Sequence, residues 1–383
     1  MDEVCMKNVL FITHDDLSGG SAKSLLSQII FLKKEKNINP IVITWKENSL
    51  SAYLREKGIL CIALKFDFTS VWTRNKLFHL IKRPYYRLFY NQIAYKFLKK
   101  KIDFAEISLI VSNSSVIDLG AYLHRKTQIP HIWYLREFGD IDFNILSYVK
   151  NLPRYIENNS NGIIAVSESV ALHWAKRGIK REISVINDGV LEREYPQKDL
   201  NKDSIIKICM CGRLSPAKGQ HIAIKALKKL PQGVLERVHL DFWGKGESEK
   251  ELKVLVRNER LEKYVSFRGF SLNLDKELEN YEVGLTLSKA EAFGRTTVEY
   301  MNHGIFVIGT NVGGTPELLQ NGKYGILVDW DCPANVADAV VNYCENRNEC
   351  HTRALFASEY ANEKFAVRKC AEQAMAFYEL FLK

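Results

Sequence analysis

Short apolar runs alternate with helix-length amphipathic segments along nearly the whole chain, and this alternation limits the fold more than any other feature. Asn8 to Thr13 is an apolar strand. Ser21 to Lys34 follows as a helix with Leu25, Leu26, Ile29 and Leu32 on one face. Pro40 to Thr44 is the next strand, and Leu50 to Lys57 a short helix stopped by Gly58. Leu109–Ser112, His131–Leu135, Gly162–Val166 and Ile183–Ile186 read as further strands. A polar stretch without apolar period, Leu191 to Ser204, then interrupts the pattern and reads as a linker.

A second series begins at the strand Ile205–Gly212, followed by the helix Gln220–Leu230. Val238–Trp243, Val265–Phe267, Val283–Leu287, Ile305–Gly309 and Gly325–Val328 continue as strands, with the helix Ser248–Leu261 among them and one long helix from Ala361 to Lys383. Short apolar strands between helices imply parallel sheets covered on both faces. The expected class is α/β: two Rossmann-like domains facing a central cleft. Their bounds are 1–195 and 196–365, and residues 366–383 form a last helix. A length of 383 residues suits two full cores.

Composition excludes other classes. With 46% hydrophobic and 26% charged residues the chain is neither a disordered tail nor a fibrous repeat. No apolar run reaches the length of a membrane span, and Met1 to Thr13, with Asp2 and Glu3, reads as a buried first strand rather than a signal peptide. The eight cysteines form no C-x-x-C pair, and Cys209 and Cys211 alternate along a strand as small hydrophobes. A reducing, cytoplasmic setting is expected.

The net charge of +9 is concentrated. Residues 71–101 hold nine Lys or Arg and no acid, and the rest of the chain balances at 45 bases against 45 acids. The same stretch holds eight aromatic residues. On a helix after Pro84, Tyr86, Tyr90, Ile93 and Phe97 share a stripe. Basic residues around an aromatic stripe suit the surface of an anionic membrane, with Arg87, Lys96, Lys99, Lys100 and Lys101 as the contacting bases. The bland reading is a surface helix whose stripe packs on the core. No nucleic-acid motif accompanies the charge.

Three loops at strand carboxyl ends carry the candidate chemistry, where open α/β sheets bind ligands. Ser18-Gly19-Gly20-Ser21 follows the first strand; Gly19 and Gly20 let backbone approach a ligand, and Ser21 suits a helix cap. Gly212-Arg213-Leu214-Ser215-Pro216-Ala217-Lys218-Gly219 offers a guanidinium fork and a point charge for a pyrophosphate. Glu291-Ala292-Phe293-Gly294-Arg295-Thr296-Thr297-Val298-Glu299 places two carboxylates around a glycine that opens a helix; carboxylates accept from sugar hydroxyls, and the helix's free N–H groups hold phosphate. Asp140-Ile141-Asp142 and Asp329-Trp330-Asp331 spell a metal-binding D-x-D, but their settings do not suit it.

In this order the glycine loop, the G-R-L-x-x-x-K-G segment, Glu291-x-Phe293-Gly294 and the Glu291/Glu299 spacing resemble retaining, family 4 glycosyltransferases (glycosyl transferases group 1) of the GT-B fold. Val307 to Glu317 is similar to that family's next glycine loop. Val185-Ile186-Asn187-Asp188-Gly189-Val190 is similar to its first-domain ending, except that Asp188 separates the usual Asn–Gly pair. The resemblance spans roughly residues 8 to 330, and it implies that 1–195 is the acceptor side, that 196–365 binds the nucleotide-sugar and that the helix 366–383 crosses back to the first domain. It implies a metal-independent hexosyltransferase that takes a UDP- or GDP-sugar as co-substrate and needs no further cofactor. Arg213 and Lys218 would bind the donor diphosphate, Glu291 the donor sugar and Glu299 the ribose diol. Phe293, Gly294, Arg295 and Thr296 would touch sugar and phosphate, and Gly19 and Gly20 the diphosphate. The segment around Tyr134, Arg136 and Glu137 is similar to the acceptor side of members that assemble polysaccharides. A lipid-linked or saccharide acceptor at the inner membrane surface, within bacterial capsule, O-antigen or exopolysaccharide synthesis, is the implied setting. A nucleotide-sugar epimerase of the same layout and a non-catalytic nucleotide-sugar sensor are the rival readings.

Overall fold

The computed structural model describes residues 6–72, 89–143, 145–193, 205–271 and 273–382. The chain divides into two compact units, one of residues 1–189 with 367–383 and one of residues 190–366. The polar stretch after Leu191 lies outside the described residues from position 194 to 204.

The first unit is built on a parallel sheet. Its strands are β1 (Lys7–Thr13), β2 (Ile38–Thr44), β3 (Leu60–Ala63), β5 (Ile107–Ser112), β6 (His131–Leu135), β8 (Gly162–Ala165) and β9 (Ser184–Val185), in the order β3-β2-β1-β5-β6-β8-β9. A separate antiparallel ribbon pairs β4 (Ser70–Trp72) with β7 (Ile145–Ser147). β1 is central, and Val9 to Ile12 are fully buried because helices cover both faces. Strand alternation sends Leu10 and Ile12 to one face, where they meet Ile41, Ile110 and Leu98. Phe11 points to the other face and packs against Tyr378 at a ring distance of 6.3 Å. Tyr378 belongs to the helix Val367–Glu379, which lies in the first unit beside the helix Gly20–Glu35.

The tail differs from its sequence reading. Instead of one helix from Ala361 there are two, Arg347–Lys364 and Val367–Glu379, broken at Phe365 and Ala366. Phe365 and Ala366 are both buried, and their backbone pairs with Val190, the residue at which the chain enters the second unit. Gly189 is required beside this break, since a Cβ there would stand 2.7 Å from the Val367 Cα. The strand β3 and the β4–β7 ribbon, apolar but only four and three residues long, were not read as strands in the sequence.

The second unit repeats the architecture with β10 (Ile206–Cys211), β11 (Val238–Trp243), β12 (Val265–Gly269), β13 (Val283–Thr286), β14 (Phe306–Thr310) and β15 (Gly325–Val328), all parallel, in the order β12-β11-β10-β13-β14-β15. Ile206, Ile208 and Met210 pack beneath the helices Gln220–Lys229 and Pro333–Glu345. In each sheet the winding direction reverses once, between β1 and β5 and between β10 and β13. The carboxyl ends of those strands are the ligand crevices of such folds.

His131 in β6 is a core residue. Its Nδ1–H donates to the Asn159 carbonyl at 2.6 Å, and its Nε2 accepts from the Ser112 hydroxyl at 2.9 Å. Gly120 permits the contact, because a Cβ there would sit 2.1 Å from Ser112 Oγ. Both ring nitrogens are satisfied in the neutral form, and burial pushes the imidazole pKa from 6.5 down to about 3. The unfolded chain therefore takes up this proton first. The stability His131 contributes is complete above pH 6.5 and is lost as the pH falls towards about 3. The slope in that window is at most about 1.4 kcal/mol per pH unit. Urea unfolding of wild type and His131→Gln across this range is expected to show the wild type's advantage shrinking steadily below pH 6.5.

Candidate active site

In the second unit the loops after β10, β11, β13 and β14 pack backbone against backbone. A Cβ on Gly219 would lie 2.1 Å from the Leu287 carbonyl oxygen, on Gly244 1.9 Å from that of Gly212, and on Gly313 2.1 Å from that of Glu291. Gly219, Gly244 and Gly313 also hold positive φ angles of 80°, 133° and 61°. Glycine is thus needed twice over at each position. The Gly314 N–H donates to the Glu291 carbonyl at 2.7 Å, fixing the segment that carries the first carboxylate.

Two of the sequence-predicted residues meet across the crossover point. Lys218, from the loop after β10, donates through Nζ to Glu291 Oε2 at 2.7 Å; Glu291 comes from the loop after β13. Ser288 donates to the same oxygen at 2.9 Å. Both charged groups remain partly open to solvent. Phe293 is buried against Phe365, and Gly294 takes φ 101° immediately before the helix Arg295–Asn302. Gly294, at the start of that helix, has no side chain to cap it, and the Thr297 N–H turns back to the Gly294 carbonyl at 2.9 Å. Thr296 is half-buried in its first turn. One turn in, Arg295 Nε donates to Glu299 Oε1 at 3.0 Å. The second predicted carboxylate therefore has its own cation, an i,i+4 partner.

Arg213 is placed differently. Its side chain is 73% exposed and its Nε donates to Glu247 Oε2 at 3.0 Å, on the loop after β11. Lys218 thus contacts Glu291 directly, whereas Arg213 reaches from the same loop towards the neighbouring one. Ser288 and Glu247 were missed in the sequence because nothing local marks a partner contributed by another strand end.

In the first unit the residues after β1, β5 and β6 form a polar group. Gly19 closes a turn by donating its N–H to the Asp16 carbonyl at 3.0 Å, and Gly20 begins the helix. Ser21 is not the cap its position suggested; it lies inside the helix and donates to Asp15 Oδ2 at 2.8 Å. Hydrogen bonds from Ser18 hold the Asp16 carboxyl below its usual range.

The three acceptor-side residues separate by strand alternation. Tyr134 is buried and donates its hydroxyl to the Ile186 carbonyl at 2.7 Å, which corrects the expectation that it faces an acceptor. Arg136 also turns inward. It stacks on the Tyr134 ring at 4.1 Å, donates to Asn113 Oδ1 at 2.6 Å and forms a buried ion pair with Asp188. Asp188 thus has a structural reason to interrupt the Asn–Gly pair: it neutralises Arg136. Glu137 points the opposite way. Its Oε1 accepts from Ser114 Oγ at 2.8 Å, from the Ser115 N–H at 2.7 Å and from the Ser115 hydroxyl. Burial pushes its carboxyl up, against the pull of those hydrogen bonds. His14 Nδ1 and Asn113 Nδ2 are buried nearby in the chain order of the same strand ends, and neither has a hydrogen-bond partner among the described residues. The run Asn113-Ser114-Ser115 directly after an apolar strand was the signal available for this group.

The two D-x-D sequences serve local structure. Asp142 accepts from the N–H groups of Phe138 and Gly139 at 2.9 and 2.8 Å, Asp140 accepts from His173 at 2.7 Å, and Asp329 accepts from Asn335. Of the predicted membrane-facing bases, Arg87 lies outside the described residues. Lys96, Lys99, Lys100 and Lys101 are exposed on and just after the helix Tyr90–Leu98.

Removing Asp188 would leave the Arg136 guanidinium buried and unpaired, which costs about 3–5 kcal/mol in comparable buried pairs. Asp188→Ala is therefore expected to lower the urea midpoint sharply. The double change Arg136→Met with Asp188→Leu should recover most of the loss in the same measurement.

Comparison with known proteins agrees with this architecture. Residues 192–358 match the family model of glycosyl transferases group 1. The chain is 25% identical over 271 residues to N-acetyl-alpha-D-glucosaminyl L-malate synthase of Bacillus anthracis, covering 67% of this chain and 70% of that protein. It is 32% identical over 189 residues to the putative colanic acid biosynthesis glycosyltransferase WcaL of Escherichia coli, covering 46% of this chain and 45% of that one. Among solved structures, Anabaena Alr3699/HepE in complex with UDP and glucose superposes with a TM-score of 0.78 at 20% identity, over 98% of this chain and all of that one. A structure of the same Anabaena protein in complex with UDP-glucose gives a TM-score of 0.76 at 21% identity, over 97% and 99% of the two chains. Residues 192–358 of this chain thus carry a segment of the glycosyl transferases group 1 type, and the chain has the GT-B fold.

Proposed function

We propose that this chain is a glycosyltransferase that moves a hexosyl group, with retention of anomeric configuration, from a UDP- or GDP-sugar to a lipid-linked or saccharide acceptor. The product would enter a bacterial surface polysaccharide, and the reaction would run at the cytoplasmic face of the membrane. The observation that carries the reading is the Lys218–Glu291 contact at the β10/β13 crossover. It brings a cation and a carboxylate together at the crevice where such sheets take a nucleotide. The likeness to a fold solved with UDP and with UDP-glucose supports the donor class.

In this reading the donor replaces the two ion pairs. Lys218 turns from Glu291 to the diphosphate, and Arg213 joins it from the rim. The positive end of the helix Arg295–Asn302 adds a third favourable site for the diphosphate. Glu291, released, accepts from hydroxyls of the sugar, and Glu299 accepts from the ribose diol. The bond between the anomeric carbon and the diphosphate oxygen breaks with its electron pair leaving on the nucleotide. The acceptor hydroxyl oxygen bonds to the same face of that carbon, and its proton passes to the departing phosphate oxygen. Fixed cations around the leaving group supply the stabilisation. The nucleotide-sugar is a co-substrate, and the reading assigns no further cofactor and no metal. In the first unit, considered by itself, Glu137, His14 and Asn113 are the polar groups available to an acceptor.

Thermal stabilisation by a panel of UDP, GDP and their sugars, with slow donor hydrolysis as the rate measurement, tests the assignment. Lys218→Ala and Glu299→Ala are each expected to weaken nucleotide binding about tenfold or more, as for a lost charge-assisted hydrogen bond. Glu291→Ala should keep UDP binding close to wild type and lose hydrolysis of the UDP-sugar. Wild-type nucleotide affinity in both Lys218→Ala and Glu299→Ala would remove the donor site from this crevice.

A further inference from the structure

The helix Tyr90–Leu98 is fixed to the first unit by a polar anchor. Asn91 Nδ2 donates to Asp118 Oδ2 at 2.8 Å, its Oδ1 accepts from the Asp67 N–H at 2.9 Å, and its own N–H donates to Asp67 Oδ2 at 3.0 Å. Ala94 and Leu98 complete the buried face. These three contacts of one side chain and its backbone set the helix's rotation. At 3.6 residues per turn, the side opposite Asn91, Ala94 and Leu98 then carries Phe89, Ile93, Lys96, Phe97 and Lys100.

The outward face is apolar as well as basic. Phe89, Ile93 and Phe97 stand in line at i, i+4 and i+8 and are 60%, 47% and 42% exposed. This corrects the expected stripe: Tyr90 is half-buried, Tyr86 lies outside the described residues, and the bland alternative of a stripe packed on the core does not hold for Ile93 and Phe97. Isolated exposed apolar residues are ordinary on a protein surface, but a line of three on a single helix is not. Lys96, Lys99, Lys100 and Lys101 surround the line. The Lys101 ammonium lies 5.9 Å from the Phe97 ring and that of Lys99 5.7 Å from Tyr95. A shallow surface groove beside them is lined by Tyr95, Lys99, Lys100, Lys101, Asp103 and Phe104. Asp103 is turned to its own backbone, accepting from the Ala105 N–H at 2.9 Å.

We infer that this face docks on the anionic surface of a phospholipid bilayer, with Phe89, Ile93 and Phe97 entering the head-group region and the four lysines pairing with lipid phosphates. The argument for a bilayer is charge complementarity combined with an apolar line of this length. Residues 71–101 hold nine bases and no acid, and an interfacial helix buries its apolar side in the head-group boundary while its bases meet anionic lipid. The inference deepens the proposed function, resting on it for the membrane-borne acceptor and naming the surface that would meet the membrane.

The test is co-sedimentation with vesicles of phosphatidylcholine alone and of phosphatidylcholine mixed with phosphatidylglycerol, at low and high salt. The protein is expected to sediment with the phosphatidylglycerol vesicles and to release in part as salt rises. Each lysine removed should cost about fivefold in partitioning, the equivalent of about 1 kcal/mol. The variant K96Q/K99Q/K100Q/K101Q should therefore fall by well over tenfold. F89S/I93S/F97S should lose the binding that survives high salt. Both variants keep Asn91, Ala94 and Leu98, and a wild-type melting temperature for each would show that the fold is intact. Equal sedimentation with both vesicle types, or wild-type binding by both variants, would overturn the inference. So would a dimer in light scattering that the apolar variant converts to monomer, since the face would then be a contact between copies. Stabilisation by UDP is read on the same samples: its absence in the wild type would count against the donor assignment and leave the docking result standing.

Discussion

A parallel sheet buried on both faces leaves the ends of its strands as the least costly place for charged side chains. That constraint governs both units of this chain. In β1 the four residues from Val9 to Ile12 have no contact with solvent, and in β10 Ile206, Ile208 and Cys209 are as deeply enclosed. Desolvation inside such layers is severe enough to keep His131 neutral and to raise the Tyr134 and Tyr300 hydroxyls far above their usual range. Charged groups therefore collect where the strands stop. Lys218, Glu291, Arg213, Glu247, Glu137 and Asp188 all lie in loops that begin at or soon after a strand's carboxyl end.

The second consequence is close backbone packing among those loops. Gly219, Gly244 and Gly313 bring carbonyl oxygens of neighbouring loops to within the space a methyl group would take. Because these contacts are between backbones, they fix the loops without using any functional side chain. Lys218 and Glu291 are then held at a distance of 2.7 Å while remaining partly open to solvent. A pair of this kind costs little to separate, which suits groups that must exchange one another for a ligand. The Arg136–Asp188 pair shows the opposite design. Both of its members are buried, and it holds the segment leading to Gly189 against the sheet.

The strand ends and the glycine loops were legible in the sequence because both leave local marks: apolar runs of strand length, and glycine where no side chain fits. Partners were not legible where they come from a different strand end. Lys218 and Glu291 are 73 residues apart, and Arg136 and Asp188 are 52 apart, so no local spacing joins them. Tyr134, Arg136 and Glu137 are consecutive or nearly so and looked like one surface. The pleat divides them instead, sending Glu137 towards Ser114 and Ser115 and the other two inward. The same limit applied to the helix Tyr90–Leu98. Its periodicity suggested a stripe through Tyr90, but Asn91 and its two aspartate partners determine which side faces the core.

The sequence by itself determined the two α/β series, the order of the glycine loops and the kinds of charge available at each strand end, because all three depend on residues adjacent in the chain. Only the tertiary structure decided which charges meet, which are buried and which helix face is left to solvent. Those outcomes depend on strand order and on the rotation of each helix, and both are fixed by contacts between segments far apart in sequence.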